Sequence, residues 1–279
     1  MKLQVIEGNT IELDGGSMFG NTPKALWEKW IPADERNRIR LATRAMLLKT
    51  NDGRHILFEV GTGTFLEPKL ADRYGISQND SLLENLSMLG LRQEDIDLII
   101  LSHMHFDHVG GLLTPYQEGQ PHQLRFPNAK YYVGKEQWER ACRPHLRERS
   151  SFIPALHALL EESGRLRLIE GSGHPDLDFG VNFHYSHGHT LGLMLAELHL
   201  PEGPLVYVSD LIPGVPWIHL PTTMGYDRFP ELLVDEKQQL LEKMAKENGR
   251  IFFAHDLTTP CVSIAKNENG KFVGTPVKI

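Results

Sequence analysis

Residues 102–111 read Ser102-His103-Met104-His105-Phe106-Asp107-His108-Val109-Gly110-Gly111, and they directly follow the apolar, β-branched run at 97–101. That run predicts a buried strand, and chain leaving a strand keeps a period near two. His103 and His105 can therefore point the same way, while Asp107 and His108 turn towards a second point. Three imidazoles and a carboxylate within six residues have no packing rationale, and both groups are common zinc ligands. The stretch predicts a metal site at the end of a strand.

Three later segments place more ligand-type residues at predicted strand ends. Gly188-His189-Thr190 opens one strand, Ser209-Asp210 closes a second and Ala254-His255-Asp256 closes a third. Ligands at strand ends sit on a rigid sheet and can hold a fixed geometry. Taken alone, Asp210 reads as a turn residue and His255 as a core histidine. Their order behind residues 102–111 makes them metal-ligand candidates, and more than three ligands suggest two ions.

The rest of the chain alternates predicted strands and helices. Asn51-Asp52-Gly53 between two apolar runs predicts a hairpin over 41–60, and residues 14–20 read as a glycine-rich loop. We also expect helices over 81–91, 135–145, 154–163 and 230–248, strands over 181–185, 191–200, 205–209 and 250–254, and a final hairpin that turns at 267–270. This pattern predicts an α/β fold with two packed sheets flanked by helices. No linker interrupts the sequence, so we expect a single domain over residues 1–279.

Charge and composition exclude several classes of protein. Lys and Arg number 29 and Asp and Glu number 36, and the resulting net charge of −7 argues against a nucleic-acid or anionic-membrane surface. Cys142 and Cys261 are too few and too far apart for a disulfide framework. The first residues contain no apolar signal segment, and no run approaches the ~18 apolar residues of a membrane helix. We expect a cytoplasmic protein that binds a small molecule, with a homodimer as one open form of assembly.

The candidate ligands, in this order and spacing, resemble the metallo-β-lactamase superfamily, whose signature is an HxHxDH motif, a later Gly-His-Thr, an Asp after one strand and a His after another. The resemblance covers nearly the whole chain. It implies an αββα four-layer sandwich, with two mixed β-sheets flanked by helices and two metal ions at one sheet edge. It also implies a division of the ligands: His103, His105 and His189 for the first ion, Asp107, His108 and His255 for the second, and Asp210 as the bridge.

Two positions depart from the family pattern. Glu59 stands where the family usually has an Asp that supports the site, so we expect altered supporting contacts rather than loss of the metal. Ser186-His187 stands before Gly188, where many relatives have a Pro before the Gly. His187 is therefore a rival to His189, and we favour His189 because it lies in the Gly-His-Thr register.

Two divalent ions ~3.5–4 Å apart share a water and lower its pKa from ~16 towards ~7, which provides a bridging hydroxide that attacks an ester-like bond. Asp107 is then both a ligand and the proton carrier to the leaving alkoxide. In the family's flavodiiron members a Glu replaces the second His of the motif; this chain keeps His105, which favours zinc, with iron, manganese or cobalt as alternatives.

A narrower resemblance concerns the substrate. Residues 14–20 with 23–27, Ile212-Pro213 and residues 225–230 are similar to the YtnP-type branch, which implies a quorum-quenching N-acyl-homoserine lactonase. Met18 and Phe19 could form an apolar lip for an acyl chain, or could instead be core residues. Tyr226 could donate its hydroxyl to the developing oxyanion, or could pack under the 230–248 helix.

Other activities remain open at this stage. A phosphotriesterase or arylesterase of the methyl-parathion-hydrolase type uses the same metals, and a sulfur dioxygenase would carry one iron and leave Asp107 unbound. A glyoxalase II-like thioesterase or a nuclease requires a basic binding site, and the net charge of −7 does not favour one. A binding module without turnover does not explain why every ligand position is filled.

Overall fold

The structure is a computed structural model that describes residues 1–77 and 79–279. Its strands are β1 (Lys2–Ile6), β2 (Thr10–Asp14), β3 (Arg38–Ala42), β4 (Ala45–Lys49), β5 (His55–Phe58), β6 (Leu98–Leu101), β7 (Lys130–Gly134), β8 (Leu166–Ile169), β9 (Val181–Ser186), β10 (Leu193–Leu200), β11 (Gly203–Tyr207), β12 (Arg250–Phe252), β13 (Cys261–Lys266) and β14 (Phe272–Pro276). Its α-helices are α1 (Gly15–Phe19), α2 (Lys24–Trp27), α3 (Pro68–Arg73), α4 (Ser81–Met88), α5 (Phe106–Val109), α6 (Lys135–Cys142), α7 (Pro154–Glu162) and α8 (Pro230–Lys246). Short 3₁₀ turns cover 93–95, 110–112, 149–151, 209–211 and 215–218.

Two compact units divide the chain. Unit 1 comprises Met1–Ile11 and Ala42–Glu170, and unit 2 comprises Glu12–Leu41 and Gly171–Ile279. Each unit contains a six-stranded mixed sheet, and β2 pairs with β3 in a separate two-stranded sheet. The α/β class and the two mixed sheets predicted from the sequence are confirmed. The expectation of one domain over residues 1–279 stays a prediction.

Unit 1 is built on the sheet β1-β4-β5-β6-β7-β8. Strands β5, β6, β7 and β8 run parallel to one another, whereas β4 pairs antiparallel with both β1 and β5. All four residues of β6 are buried, as expected for a strand covered on both faces. Side chains of α4 and α7, including Leu86 and Leu156, join the same apolar core. The metal-ligand motif therefore leaves one of the most buried strands of the unit, which gives it a rigid base.

Unit 2 is built on the sheet β14-β13-β12-β11-β10-β9, in which only β11 and β12 are parallel. Its longest helix, α8, packs against β13. The buried face of α8 carries Leu233, Leu240, Leu241 and Met244 at helical spacing. These elements place residues 189, 210 and 255 beyond the ends of strands, as the sequence predicts.

Most predicted elements are confirmed within two or three residues. The exception is the glycine-rich loop expected over 14–20, which is wrong because residues 15–19 form the short helix α1. The Asp14 carboxylate caps that helix by accepting a hydrogen bond from the Ser17 N–H at 2.7 Å. Strands β1, β2, β3, β7 and β8 and the short helices α2 and α3 were not predicted. Among the described residues, no helix is both long and apolar enough to cross a membrane.

Candidate metal centre

The histidine-rich motif of unit 1 begins where β6 ends. His105 occupies the position before the first turn of α5, which carries Asp107 and His108. The ring centroid of His103 lies 4.4 Å from that of His105 and 4.1 Å from that of His108. All four side chains are largely buried. The strand and the short helix thus bring three imidazoles and one carboxylate together, as the motif spacing predicts.

Close backbone packing holds this motif against the end of β5. Gly111 N–H donates to the Gly61 carbonyl at 2.9 Å, and Val60 N–H donates to the His108 carbonyl at 3.2 Å. A Cβ at position 111 would lie 2.2 Å from the Val60 carbonyl oxygen, so only glycine allows this approach.

Glu59 connects two of the imidazoles. Its buried carboxylate accepts from His108 Nδ1 at 2.7 Å and from the Ser102 hydroxyl. Because Ser102 Oγ donates its proton to the carboxylate, it must accept from His103 Nδ1, which lies 2.9 Å away. Both rings are then protonated at Nδ1, and the Nε2 lone pairs are available for a metal ion. Glu59 therefore supports two of the candidate ligands, and the expectation that its contacts differ from those of the family's Asp stays a prediction.

His105 has a different partner and the opposite tautomer. Its Nε2 donates to Glu148 Oε1 at 3.1 Å, which leaves the lone pair on Nδ1. Glu148 is itself held by Arg140, whose guanidinium lies 2.6–2.7 Å from Oε2. Such carboxylate–histidine pairs fix the orientation of a metal-binding imidazole and raise its basicity.

The candidate ligands of unit 2 meet around one carboxylate. His189 Nε2 lies 3.2 Å from Asp210 Oδ2, and His255 Nε2 lies 3.0 Å from Asp210 Oδ1. All three residues are buried. Each oxygen of Asp210 therefore faces a different imidazole, and its role as a bridge stays a prediction.

A second carboxylate holds the far side of His189. Asp227 Oδ1 accepts from His189 Nδ1 at 2.9 Å, and Asp227 Oδ2 accepts from the Met224 N–H at 2.6 Å. An imidazole flanked by Asp227 and Asp210 either carries a proton on both nitrogens or directs one lone pair at a cation. The position is chemically suited to a divalent metal ion.

His187 does not share this environment. Its ring Nδ1 accepts from the Gly192 N–H at 3.2 Å, and its backbone N–H donates to Glu236 Oε1. The preference for His189 over His187 as the ligand is a prediction that this geometry favours.

The donor chemistry of both units fits divalent metal ions. Glu59, His103 and His108 offer ligand atoms that all lie within 4.8 Å of one another, and unit 2 adds the His189, Asp210 and His255 group. Imidazoles with supporting carboxylates, together with acidic oxygens, form the usual ligand set for zinc and related ions. The assignment of individual residues to individual ions stays a prediction.

Met18 and Phe19 lie in the core of unit 2. Met18 is 2% exposed and Phe19 is 0% exposed. The Phe19 ring stacks between Trp27 and Trp217, with centroid distances of 5.2 and 4.6 Å. Trp217 Nε1 also donates to the Met18 carbonyl at 2.9 Å. These positions do not form an exposed lip, and contact of either side chain with substrate stays a prediction.

Tyr226 is the most exposed of the predicted site residues, at 36%. It directly precedes Asp227, the partner of His189. The alternative in which Tyr226 is packed under the following helix does not match this exposure. Its role as an oxyanion donor stays a prediction.

Two supporting residues were missed by the sequence reasoning. Glu148 gave no signal, since it is 43 residues from His105 in a charged stretch. Asp227 is 38 residues from His189, and its only signal was its place in the 225–230 segment. Carboxylate partners of imidazoles follow from tertiary packing, which a short motif does not contain.

Unit 2 also contains a cavity of about 750 Å³ that is lined in part by Asp256, the residue after His255. The Asp256 carboxylate accepts from the Val215 N–H at 2.9 Å and from the Thr259 N–H at 2.8 Å, which holds two other lining segments in place. The lining is mainly apolar and includes Trp30, Ile31, Pro216, Ile218, Leu257 and Val273. Cavities of this size and character accommodate small organic ligands.

The sequence profile of the Metallo-beta-lactamase superfamily matches residues 38–255. The N-acyl homoserine lactonase AiiA of Bacillus thuringiensis subsp. kurstaki is 25% identical over 239 residues, which cover 78% of this chain and 83% of that relative.

Solved structures show the same fold. A probable metal-dependent hydrolase from Staphylococcus aureus matches with a TM-score of 0.87 at 26% identity, covering 100% of this chain and 97% of its own. AidC, a dizinc quorum-quenching lactonase in complex with the product N-hexanoyl-L-homoserine, matches with a TM-score of 0.75 at 23% identity, covering 99% of this chain and 94% of its own.

Proposed function

Since this chain belongs to the metallo-beta-lactamase superfamily and is one of its hydrolases, we propose that it opens the ring of an N-acyl-homoserine lactone or a related lactone. In this reaction a water oxygen bonds to the lactone carbonyl carbon, the ring C–O bond breaks, and a proton passes to the leaving alkoxide. The product is a hydroxy acid. The observation that carries the proposal is the Asp210 carboxylate, with one oxygen towards His189 and the other towards His255.

We propose that two divalent ions, most simply zinc, are held by the seven predicted ligands. His103, His105 and His189 would hold one, Asp107, His108 and His255 the other, with Asp210 as the bridge. When bound, such ions supply a nucleophile from water at neutral pH and polarise the carbonyl. The supporting contacts of Glu59, Glu148 and Asp227 favour this assignment, because each carboxylate accepts a hydrogen bond directly from a different candidate imidazole.

Two side chains would act on the substrate itself. We propose that Asp107 carries a proton to the leaving alkoxide, because its carboxylate lies in the first turn of α5, with Oδ2 3.8 Å from His108 Nε2. We propose that the Tyr226 hydroxyl donates a hydrogen bond to the developing oxyanion, since Tyr226 directly precedes Asp227, the carboxylate that accepts from His189. Tyr226→Phe should then lower kcat more than it raises KM.

The cavity of unit 2 supports an acyl substrate rather than a small polar ester. We propose that it receives the acyl chain, because Asp256 and Leu257, the two residues that follow His255 in the chain, line it. Each buried methylene would contribute at most ~0.8 kcal/mol, or roughly fourfold in kcat/KM, while the pocket lasts. Met18 and Phe19 stay predicted contacts for the acyl chain of the substrate. Because both are buried, substituting them would also disturb the core.

A substrate panel tests the proposed reaction. The purified protein should hydrolyse N-acyl-homoserine lactones with higher kcat/KM than aryl esters or phosphotriesters. Asp210→Ala should fold, as judged by circular dichroism, and lose activity by about 100-fold or more, because the proposed bridge is removed. Faster turnover of a phosphotriester than of any lactone would replace the lactonase proposal with the phosphotriesterase alternative.

A chain-length series tests the acyl site. Wild-type kcat/KM should rise from short to long acyl chains, and Leu257→Ser should flatten that rise while leaving the shortest lactone nearly unchanged. Leu232→Ser, at an exposed position of α8 outside the cavity, is the matched control. If kcat/KM rises equally steeply with acyl length in Leu257→Ser and in wild type, the acyl chain binds outside this cavity.

A further inference from the structure

Glu236, on α8, binds the loop that carries His189. Its Oε2 accepts from the Ser186 hydroxyl at 2.6 Å and from the Gly188 N–H at 3.1 Å. Its Oε1 accepts from the His187 N–H at 2.8 Å. One carboxylate therefore bonds three consecutive residues, and the next residue along the chain is His189.

The other side of this loop is held by the chain that leads into the same helix. Phe229 N–H donates to the Gly188 carbonyl at 2.8 Å, and Arg228 N–H donates to the His189 carbonyl at 3.2 Å. Gly188 also lies directly against the helix, because a Cβ at this position would be 2.4 Å from the Cα of Leu233. The backbone before and at His189 is thus fixed from both sides by α8 and the residues that precede it.

The loop needs such an anchor for a physical reason. Strand β9 ends at Ser186, so the N–H groups of His187 and Gly188 lose the partners that a strand provides. A carboxylate that accepts from several N–H groups makes stronger bonds than neutral acceptors do, and it fixes their directions. A displacement of about 1 Å in a group of this kind can cost 100-fold in activity.

We propose that Glu236 is a positioning residue for the metal centre: it fixes the Ser186–Gly188 loop so that the His189 imidazole meets its ion and Asp210 in one geometry. Glu236 acts through the loop backbone and does not touch the ion. This role rests on the proposed function only in that His189 is a metal ligand. The partners on the imidazole itself, Asp227 and Asp210, are separate from it.

Metal binding measured without substrate tests the role. Glu236→Gln keeps the size of the side chain but only one acceptor oxygen, so it cannot reproduce all three bonds. Its zinc affinity, measured by competition with a chromophoric chelator, should fall about 10- to 100-fold, the range typical of residues that orient metal ligands. The absorption bands of the cobalt-substituted protein should shift, because the ligand geometry changes. Asp235→Asn makes the same change of charge one position away on the exposed face of α8 and should leave both readouts at the wild-type values.

A milder variant covers the case in which Glu236→Gln fails to fold. Ser186→Ala removes one of the three bonds and should lower zinc affinity by a smaller factor, of a few-fold, with a cobalt spectrum between those of wild type and Glu236→Gln. Wild-type zinc affinity and cobalt spectrum in a folded Glu236→Gln or in Ser186→Ala would overturn the proposal. If wild-type protein binds zinc tightly and hydrolyses no lactone, the proposed function fails, while the comparison of metal affinities still decides the role of Glu236.

Discussion

Glu59 has a left-handed backbone, with φ +61°, which costs a side chain other than glycine roughly 1–2 kcal/mol. A glycine would remove that cost but would also remove the carboxylate that orders His108 and, through Ser102, His103. Strained residues of this kind persist where surrounding contacts determine them, and they concentrate at functional sites. The strain at Glu59 is therefore the local cost of fixing two imidazole tautomers with one side chain.

His187 and His189 provide a test at the scale of single residues. His189→Ala should lower kcat/KM by about 100-fold or more and reduce the bound metal, because it removes a proposed ligand between Asp210 and Asp227. His187→Ala removes an acceptor for the Gly192 N–H and should change kcat/KM less than about fivefold, because His187 is not one of the proposed ligands. Kinetics with metal analysis of both variants measure the difference. The reverse order of effects would mean that the register through Gly188 is wrong.

Helix α1 shows how a short element depends on packing. Five residues do not make a stable helix by themselves, so α1 relies on its Asp14 cap and on the stack of Phe19 between Trp27 and Trp217. Phe19→Ala should lower the free energy of unfolding by about 3–5 kcal/mol. Leu26→Ala, at a position 50% exposed on α2, should change it by less than about 0.5 kcal/mol. Urea titrations of both variants measure these values, and equal, small effects would contradict a structural role for the stack.

Helix α8 buries a lysine, and this makes stability depend on pH. Lys237 is 0% exposed, its Nζ donates to the Thr222 carbonyl at 2.7 Å, and burial lowers its pKa from 10.5 to about 7. Between about pH 7 and pH 10.5 the unfolded chain binds this proton and the folded chain does not, so the lysine makes stability rise with pH in that window. The slope is at most about 1.4 kcal/mol per pH unit.

Lys237→Met removes this contribution. The difference in unfolding free energy between wild type and Lys237→Met should therefore grow in favour of wild type as the pH rises from 7 to 9.5. Lys246→Met, at an exposed position of the last turn of α8, serves as the control and should show no such trend. A pH-independent difference for Lys237→Met would mean that the buried amine keeps its ordinary pKa.

At the scale of the whole molecule, bound metal should contribute to stability. Seven proposed ligands come from residues 103–108 and from three segments as far along the chain as residue 255. A ligand that binds only the folded chain, at a thousandfold excess over its Kd, stabilises it by about 4 kcal/mol, or roughly 10 °C in Tm for a chain of this size. Removal of metal by a chelator should lower Tm by about that much, and added zinc should restore it.

Elemental analysis complements the melting experiment. About two transition-metal ions per chain are expected, zinc foremost. One iron and no zinc would instead favour the sulfur dioxygenase alternative.

The sequence by itself determined the fold class and singled out the candidate metal ligands. The apolar run before Ser102 predicts a buried strand, and the HxHxDH spacing predicts metal ligands. The Gly-His-Thr segment, Asp210 and His255 follow at the ends of other predicted strands. These signals are local, because they depend on a period of two along a strand and on residue types within a few positions. The helices and hairpins that frame them are local as well, and most are confirmed.

Only the tertiary structure decided which distant carboxylates contact the candidate ligands and the loop before His189. Glu148 reaches His105 across 43 residues, Asp227 reaches His189 across 38, and Glu236 reaches Gly188 across 48. It also decided that Phe19 is stacked in a core rather than exposed on a loop. Contacts over such separations arise when strands, helices and loops pack, and no period or motif in the chain records which distant carboxylate will meet which imidazole.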